Sequence, residues 1–334
     1  MTTEVADETA RAVFFPEPPA EPRLQFLKAY SAAEDLGGKG PGALDRVLFG
    51  EPERRDIVLK PYGTDIHDGK LYVCDVGRRM IEVFDLREKR LFVMTRERRL
   101  RNPMSIVVVD GIKYVSDPTA GAVFVFDEEN ELKNIIGQDL KIAPIDLAVD
   151  DTRCYVTDSN ANQVVVMDRE TGKELLRMGR AGEGEGQFLL ISDLTLDQQG
   201  NVYVTDKAKG RITVFNRSGV YQRTIGRLGD GADELVRPKG IDVDRDGNIW
   251  LIDAAPEIAK IYDNQGRLLL FFGFPGPEPG KMNLPAKIRL DYDNVDLFQP
   301  YAVEGARLDA LVVVSNQYGR NKINVYGFGS FPKP

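Results

Sequence analysis

The chain reads Gly200-Asn201-Val202-Tyr203-Val204-Thr205-Asp206 in its central part, where an aspartate follows an aromatic residue by three places. The same spacing recurs along the chain, with an aliphatic residue between the two each time. The pairs are Tyr72 and Asp75, Tyr114 and Asp117, Tyr155 and Asp158, Tyr203 and Asp206, and Trp250 and Asp253, while a sixth copy has Val313 and Asn316. This alternation predicts a β-strand that packs on both faces and is repeated six times.

Three more strands accompany each copy. A second apolar pair follows the aspartate by eight residues, as at Val125-Phe126 and Val214-Phe215, and turn formers such as Gly121 and Gly210 lie between the two strands. A strand that usually begins at a proline precedes each copy, and an outer strand follows it. Four strands in each of six units predict an all-β fold, a six-bladed β-propeller of four-stranded antiparallel blades.

The sixth unit has no outer strand after Tyr326. An otherwise unpaired strand at 22–30 can supply it, which would close the ring and cover the open edge. We therefore predict a single propeller domain at 22–334, made of the closing strand at 22–30, a long connection at 31–57 and the blades at 58–334, after a proline-rich extended leader at 1–21. The glycine-rich connection is either a flexible insertion or a lid across one face.

The repeats resemble the NHL-repeat family, in which a Pro-Gly-Ile opening, an Asp-Gly-Asn turn and a Tyr-Val-Thr-Asp strand end recur. Residues 238–241 and 246–248 match this pattern, as does the 200–206 stretch, and the resemblance covers about 58–334 and the closing strand. The proline-rich leader resembles bacterial six-bladed propellers that are often exported, some as lipid-anchored proteins. That resemblance implies a periplasmic or cell-envelope location. The chain given has no signal peptide and no lipid-accepting cysteine, so from the residues alone it is either cytoplasmic or has lost its targeting segment.

Composition narrows the class of protein. A net charge of −8 disfavours nucleic-acid binding, which usually takes a basic domain, and no stretch of about 18 apolar residues is present to span a bilayer. Cys74 and Cys154 each lie among apolar residues in a predicted strand, which predicts buried thiols and no disulfide. We expect the protein to be a monomer by itself.

The sequence offers no catalytic constellation. NHL-like lyases hold zinc with several histidines, whereas this chain has one, His67, in a predicted surface turn. Other six-bladed enzymes place Glu, Asn and Asp around a channel metal, but an aspartate that recurs in five blades is better explained as an acceptor for the N–H groups of the turn that follows it. We therefore predict no cofactor, with a channel calcium ion as the alternative.

Charge placement is the most suggestive feature. The hairpin turns and inter-blade loops, which share one face of this fold, carry many basic residues: Arg78, Arg79, Arg96, Arg98, Arg99, Arg101, Lys207, Lys209, Arg211, Arg237, Lys239, Lys260, Arg320 and Lys322. Acidic residues lie in the same loops, so a mixed solvated rim is the plain interpretation. No exposed aromatic residues for base stacking are evident in these loops.

The leading hypothesis is a non-catalytic propeller that binds a protein or an anionic polymer on this face. The partner-binding residues it names are Arg78, Arg79, Arg98, Arg99, Lys207, Lys209, Arg211 and Arg320. The alternative is a metal-dependent hydrolase or lyase that acts at the central channel.

Overall fold

The computed structural model describes residues 12–37 and 57–332. They form a six-bladed β-propeller, almost entirely of β-strands, in which five blades are four-stranded antiparallel sheets and the sixth has five strands. The predicted fold class is therefore confirmed. No helix among the described residues has the length and apolar character needed to cross a membrane.

The strands follow the chain from the inside of each blade to its outer edge. Blade I contains β3 (Pro61–His67), β4 (Lys70–Asp75), β5 (Met80–Asp85) and β6 (Arg90–Val93). Blade II contains β7 (Ser105–Val109), β8 (Ile112–Asp117), β9 (Ala122–Phe126) and β10 (Leu132–Ile136). Blade III contains β11 (Pro144–Val149), β12 (Arg153–Asp158), β13 (Gln163–Asp168) and β14 (Glu174–Met178).

Blades IV and V continue the same order. Blade IV contains β15 (Ile191–Leu196), β16 (Val202–Asp206), β17 (Arg211–Phe215) and β18 (Tyr221–Ile225). Blade V contains β19 (Pro238–Val243), β20 (Ile249–Asp253), β21 (Ile258–Tyr262) and β22 (Leu268–Phe272). A short α-helix at Val295–Phe298 and 3-10 turns at Ala33–Leu36, Gln138–Leu140 and Gln299–Tyr301 are the helical segments described.

Blade VI is built from both ends of the described chain. It contains β23 (Pro285–Asp291), β24 (Arg307–Asn316), β25 (Ile323–Ser330), β2 (Leu24–Tyr30) and β1 (Phe14–Phe15). Strand β2 runs antiparallel to β25, with Leu24 opposite Phe328. The predicted closure is confirmed, and β1 adds a fifth strand from within the predicted leader. Residues 38–56 of the predicted connection lie outside the described residues, so the lid and the flexible insertion both stay predictions.

The apolar core lies between neighbouring blades. Each middle strand is buried on both faces, as in β12 and β16, because a blade packs against another blade on either side. Cys74 and Cys154 are buried free thiols, as predicted. Burial raises the pKa of the Cys154 thiol to about 12.

The repeated aspartates hold the hairpins, as the sequence predicts. Asp206 accepts hydrogen bonds from the N–H groups of Ala208 and Lys209, at 3.1 and 3.3 Å, in the turn that follows it. It also accepts the N–H groups of Leu189 and Leu190, at 2.9 and 3.1 Å, in the segment that enters the same blade. One carboxylate thus ties a turn to an inter-blade connection, and Asp75 and Asp117 repeat the arrangement.

The aromatic residue of the repeat has a partner of its own. The Tyr155 hydroxyl donates to Asp150 Oδ2 at 2.9 Å, and Trp250 Nε1 donates to Asp244 Oδ2 at 3.0 Å. Both aspartates lie in the turn between the first and second strands of their blades. The aromatic side chain therefore contributes apolar area to the core and a hydrogen bond to the opposite face of the ring.

Candidate binding site at the channel mouth

The six innermost strands surround a central channel. Counting from the proline, or from Ile191 in blade IV, the third residues form one ring: Gly63, Ser105, Asp146, Asp193, Gly240 and Lys287. The fifth residues, which face the same way along a strand, form a second ring: Asp65, Val107, Ala148, Thr195, Asp242 and Arg289. Carboxylates and cations therefore share the axis of the molecule.

Neighbouring inner strands approach closely at the two ring glycines. A Cβ atom on Gly240 would lie 2.7 Å from both the carbonyl oxygen of Ala286 and the Cα of Lys287. A Cβ atom on Gly63 would lie 2.4 Å from the Cα of Ser105. Only glycine fits at these two places, and the other four positions of the ring are polar.

Lys287 bridges the channel. Its ammonium nitrogen is 2.6 Å from Asp146 Oδ2 and 3.5 Å from Asp193 Oδ1. Asp146 belongs to blade III, which lies opposite blade VI in the ring, so the ion pair links opposite sides of the molecule. Burial lowers the pKa of Lys287, but the two carboxylates outweigh burial and the pKa is raised.

The second ring is also paired. Arg289 Nε donates to Asp65 Oδ1 at 3.0 Å, and Asp65 Oδ2 accepts the N–H of Val108 at 2.7 Å. Asp242 accepts the Thr195 hydroxyl at 2.9 Å and the N–H of the residue after Arg289 at 2.9 Å. These contacts join blades I, II, IV, V and VI, and every carboxylate oxygen in them has a donor.

Asp193 differs from the other channel carboxylates. It is fully buried, and its Oδ2 atom has no hydrogen-bond partner among the described residues. Asp146, by contrast, accepts from Ser105 Oγ, from the N–H of Leu194 and from Lys287. Burial and the neighbouring Asp146 raise the pKa of Asp193 to about 6, against the opposing effect of Lys287.

Above Asp193, cations converge at the mouth of the channel on the hairpin-turn face. We call the group formed by Tyr62, Asp193, Lys207, Arg237 and Lys239 the channel-mouth cluster. The Lys239 ammonium lies 5.3 Å from the centroid of the Tyr62 ring, within the range of a cation–π contact. Burial lowers the pKa of Lys239 to about 8; Asp193 opposes this change, and Lys207 and Arg237 add to it.

Lys207 experiences the same environment. Burial lowers its pKa, Asp193 raises it and Arg237 lowers it again. The cluster therefore places Lys207 and Lys239 near the buried Asp193, with Arg237 close to both lysines. Asp206 also raises the pKa of Lys207, and Lys60 lowers that of Lys239 further. Close like charges without enough counter-charge favour the binding of an anion.

The eight residues named from the sequence fall into distinct groups. Lys207 belongs to the channel-mouth cluster. Arg79, Arg98 and Arg320 are exposed on the hairpin-turn face, and we call them the rim arginines. The Arg99 guanidinium pairs with the Glu97 carboxylate.

The other three of the eight are held by contacts within the protein. Arg78 pairs with Glu82 at 2.7 Å. Lys209 and Arg211 donate to backbone carbonyls of the glycine-rich loop at 182–187. That loop connects blades III and IV and contains a parallel bridge between Ala181 and Phe188, with counterparts at two later connections.

Sequence reasoning missed part of the site. It placed Arg237 and Lys239 among the basic residues of the face but did not select them, and it did not single out Tyr62, Asp193 or Lys287. Charge in the inner strand of a blade, where apolar residues would otherwise be expected, is the signal that could have found the last two.

The prediction that these loops carry no exposed aromatic residue is wrong. Tyr318, in the hairpin turn of blade VI, is 55% exposed, so an exposed aromatic residue does lie on this face. The Lys60 ammonium lies 5.5 Å from its ring centroid. The short sequence Gln317-Tyr318-Gly319 between two strands was the available signal.

Metal ligands are not grouped in the part of the chain that the structure describes. No three or more His, Cys, Asp or Glu side chains there lie together in a way that could hold an ion. His67 is half-buried at the end of β3, on the opposite face from the channel-mouth cluster. The Lys287 ammonium already lies against the two carboxylates of the first channel ring.

Comparisons with known proteins agree with this architecture. A family model described as a 6-bladed beta-propeller matches residues 197–266. A structural genomics protein of unknown function from Bacteroides thetaiotaomicron is similar over 91% of this chain and 75% of its own, with a TM-score of 0.62 and 13% identity. A gluconolactonase from Xanthomonas campestris is similar over 95% and 97%, with a TM-score of 0.59 and 15% identity.

A third similar structure is a catalytically inactive virginiamycin B lyase from Staphylococcus aureus with quinupristin. The similarity covers 81% of this chain and 96% of the lyase chain, with a TM-score of 0.57 and 15% identity. At such identities the likeness shows the six-bladed fold alone. The fold thus occurs in enzymes and in proteins without an assigned function, and the NHL subgroup stays a prediction.

Proposed function

We propose that this chain is a non-catalytic propeller that binds an anionic protein segment or polymer through its hairpin-turn face. The observation that carries the proposal is the concentration of positive charge there. Lys207, Arg237 and Lys239 converge at the channel mouth, and the rim arginines lie exposed on the same face. This concentration occurs in a protein whose net charge is −8.

The charge distribution explains why an anion would bind there. Mutual repulsion among the cations contributes to the lowered pKa of Lys239 and Lys207, and a bound anion would relieve that repulsion. A basic surface within an acidic whole also orients an approaching acidic partner, which raises its association rate. The face is thus suited to binding an acidic partner, and such binding requires no catalytic residue.

An acidic protein or polymer fits this surface better than a nucleic acid. Recognition of single strands relies on several exposed aromatic rings that stack on successive bases. On this face the exposed aromatic side chain described is Tyr318. We therefore expect charge, and not base stacking, to dominate binding.

The test compares two variants with the same change in net charge. In the first, the rim arginines Arg79, Arg98 and Arg320 are all replaced by glutamate. In the control, Arg87, Lys89 and Lys173, which are exposed in turns on the opposite face, are replaced in the same way. The probe is fluorescent poly-glutamate, titrated by anisotropy at low and at physiological salt.

We expect the rim variant to bind poly-glutamate at least about tenfold more weakly than the parent protein, and the control to bind like the parent. An equal loss in both variants would show that only net charge matters. No binding of poly-glutamate by the parent protein would contradict the proposal itself. A single-stranded oligonucleotide that binds more tightly than poly-glutamate would favour nucleic acid instead.

The alternative drawn from the sequence, a metal-dependent hydrolase or lyase at the channel, gains no support from the ring contacts. The carboxylates of the first ring are bridged by an ammonium group. Metal analysis of the purified protein separates the two functions, because an enzyme of that class would carry a stoichiometric ion.

A further inference from the structure

The channel-mouth cluster combines two features that a surface charge patch does not have. One is a group of amines that are nearly or partly buried, with Lys239 only 5% exposed. The other is a hydrogen-bond acceptor, Asp193 Oδ2, that is buried without a partner among the described residues. Buried polar atoms are almost always satisfied, so an unsatisfied carboxylate oxygen beside cations indicates a place where a donor from outside binds.

The two features set opposite requirements on a ligand. The amines of Lys207 and Lys239 call for negative charge, whereas Asp193 Oδ2 calls for a hydrogen-bond donor. A fully deprotonated oxyanion would satisfy the amines but would place its lone pairs against the carboxylate. A neutral alcohol would satisfy Asp193 and leave the amines without a counter-charge.

We propose that the channel-mouth cluster binds an oxyanion that carries its own hydroxyl group, as a hydroxy-carboxylate or a hydrogen phosphate does. The anionic oxygens contact the Lys207 and Lys239 ammonium groups, and the ligand hydroxyl donates to Asp193 Oδ2. The Tyr62 ring, beside Lys239, forms an apolar wall. Lys287 holds the other Asp193 oxygen, and so keeps the acceptor in place.

This ligand is small and does not depend on the partner proposed for the hairpin-turn face. The rim arginines take no part in the contacts, so the glutamate variant of the rim should still bind the small anion. Failure of poly-glutamate binding would therefore not contradict the small-anion site. Failure of small-anion binding would likewise not contradict the proposed binding of poly-glutamate.

The experiment uses two matched pairs of anions that differ in the hydroxyl group. Lactate is compared with propionate, and phosphate with sulfate, by calorimetric titration of the full chain at low salt and neutral pH. In the pair that fits the cluster, the hydroxyl-bearing member should bind about tenfold more tightly, since a hydrogen bond to a charged group contributes about that factor. Preference for lactate identifies a hydroxy-carboxylate, and preference for phosphate identifies a hydrogen phosphate.

Variants test the two roles separately. Asp193→Asn keeps the shape of the side chain but lets it donate, and should remove or reverse the preference within the pair. Lys239→Met keeps the apolar stem and should weaken both members about tenfold or more, whereas Lys239→Arg should restore part of the affinity. Lys173→Met, on the opposite face, is the matched control, and a single cooperative thermal transition in each variant shows that it folds.

The pH dependence gives a readout that a structural role would not produce. Lactate binding needs Asp193 ionised and Lys239 protonated. It should therefore weaken as the pH falls through about 6 and again as it rises through about 8. Absence of binding by all four anions, equal binding within both pairs, or an unchanged preference in Asp193→Asn would overturn the proposal.

Discussion

The molecule uses aspartate in two ways, once in the hairpins and once in the channel. The hairpin aspartates recur at one position of the repeat, and Asp75, Asp117 and Asp206 accept from equivalent backbone N–H groups. Channel aspartates occupy only some inner strands, and each has its own partners: Asp146 bonds Lys287, while Asp193 keeps one oxygen unpaired. A residue that follows the repeat therefore serves the fold, and a charge that departs from the repeat marks the candidate site.

The largest effect is expected from the channel bridge. Lys287→Met leaves Asp146 and Asp193 buried without their cation, and breaking a buried pair in this way costs about 3–5 kcal/mol. Urea unfolding at neutral pH measures the loss. The loss should shrink when Asp146→Asn is added or when the pH is lowered, since both remove a carboxylate charge; a loss that is the same at acid pH would contradict this assignment.

A hairpin aspartate should matter less, and by a similar amount in blades I, II and IV, where the hydrogen-bond pattern is the same. Asp206→Ala removes the acceptor of four backbone N–H groups and is expected to cost about 2–3 kcal/mol, because some of those groups gain access to water. Asp75→Ala should cost about the same. Asp230→Ala, exposed in a loop, is the control, and a marked difference between the two hairpins would break the rule that repetition implies an equal structural role.

The raised pKa of Asp193 gives stability a distinctive pH dependence. The pKa of Asp193 rises from its ordinary 3.8 to about 6 on folding, so the folded chain binds a proton that the unfolded chain releases. Its contribution to the free energy of unfolding is present below the ordinary pKa and is lost as the pH rises to about 6. Asp193→Asn should remove this slope, whereas Asp206→Asn should leave it in place.

The smallest effect concerns the aromatic residue of the repeat. Tyr155→Phe keeps the ring in the core and removes only its bond to Asp150, which should cost about 1 kcal/mol. Tyr203→Phe should cost less, because its hydroxyl lies 3.3 Å from Asp197 Oδ2. Thermal melts of the two variants, compared with the parent protein, measure the difference; equal melts would mean that the longer contact is as strong as the shorter one.

Most of the fold could be predicted because the features that define a blade lie close together in the sequence. Strand alternation, turn residues and the aspartate spacing repeat within about 50 residues, so they can be identified without knowing the ring. The closing strand was also predictable, since an unpaired strand can pair with the open edge of the sixth blade. The additional pairing of Phe14 and Phe15 was not, because two residues carry no periodic signal.

The site was only partly predictable because it depends on which blades face each other. Lys287 is 141 residues from Asp146 and 94 residues from Asp193, and no spacing in the sequence brings them together before the ring closes. Counting basic residues selected the hairpin-turn face but not the channel mouth at its centre. It gave the same weight to Lys209, which holds a loop, and to Lys207, which faces a buried carboxylate.

The pairing of β2 with β25 sets the order in which the chain is synthesised and the ring is closed. Leu24 leaves the ribosome roughly 300 residues before its partner Phe328 exists, at a synthesis rate of about 5–20 residues per second. For tens of seconds β2 therefore lacks its partner β25, while the five intervening blades are synthesised. The ring is completed only when the last hairpin has been translated, so any interruption before Ile323 leaves an open arc in place of a closed propeller.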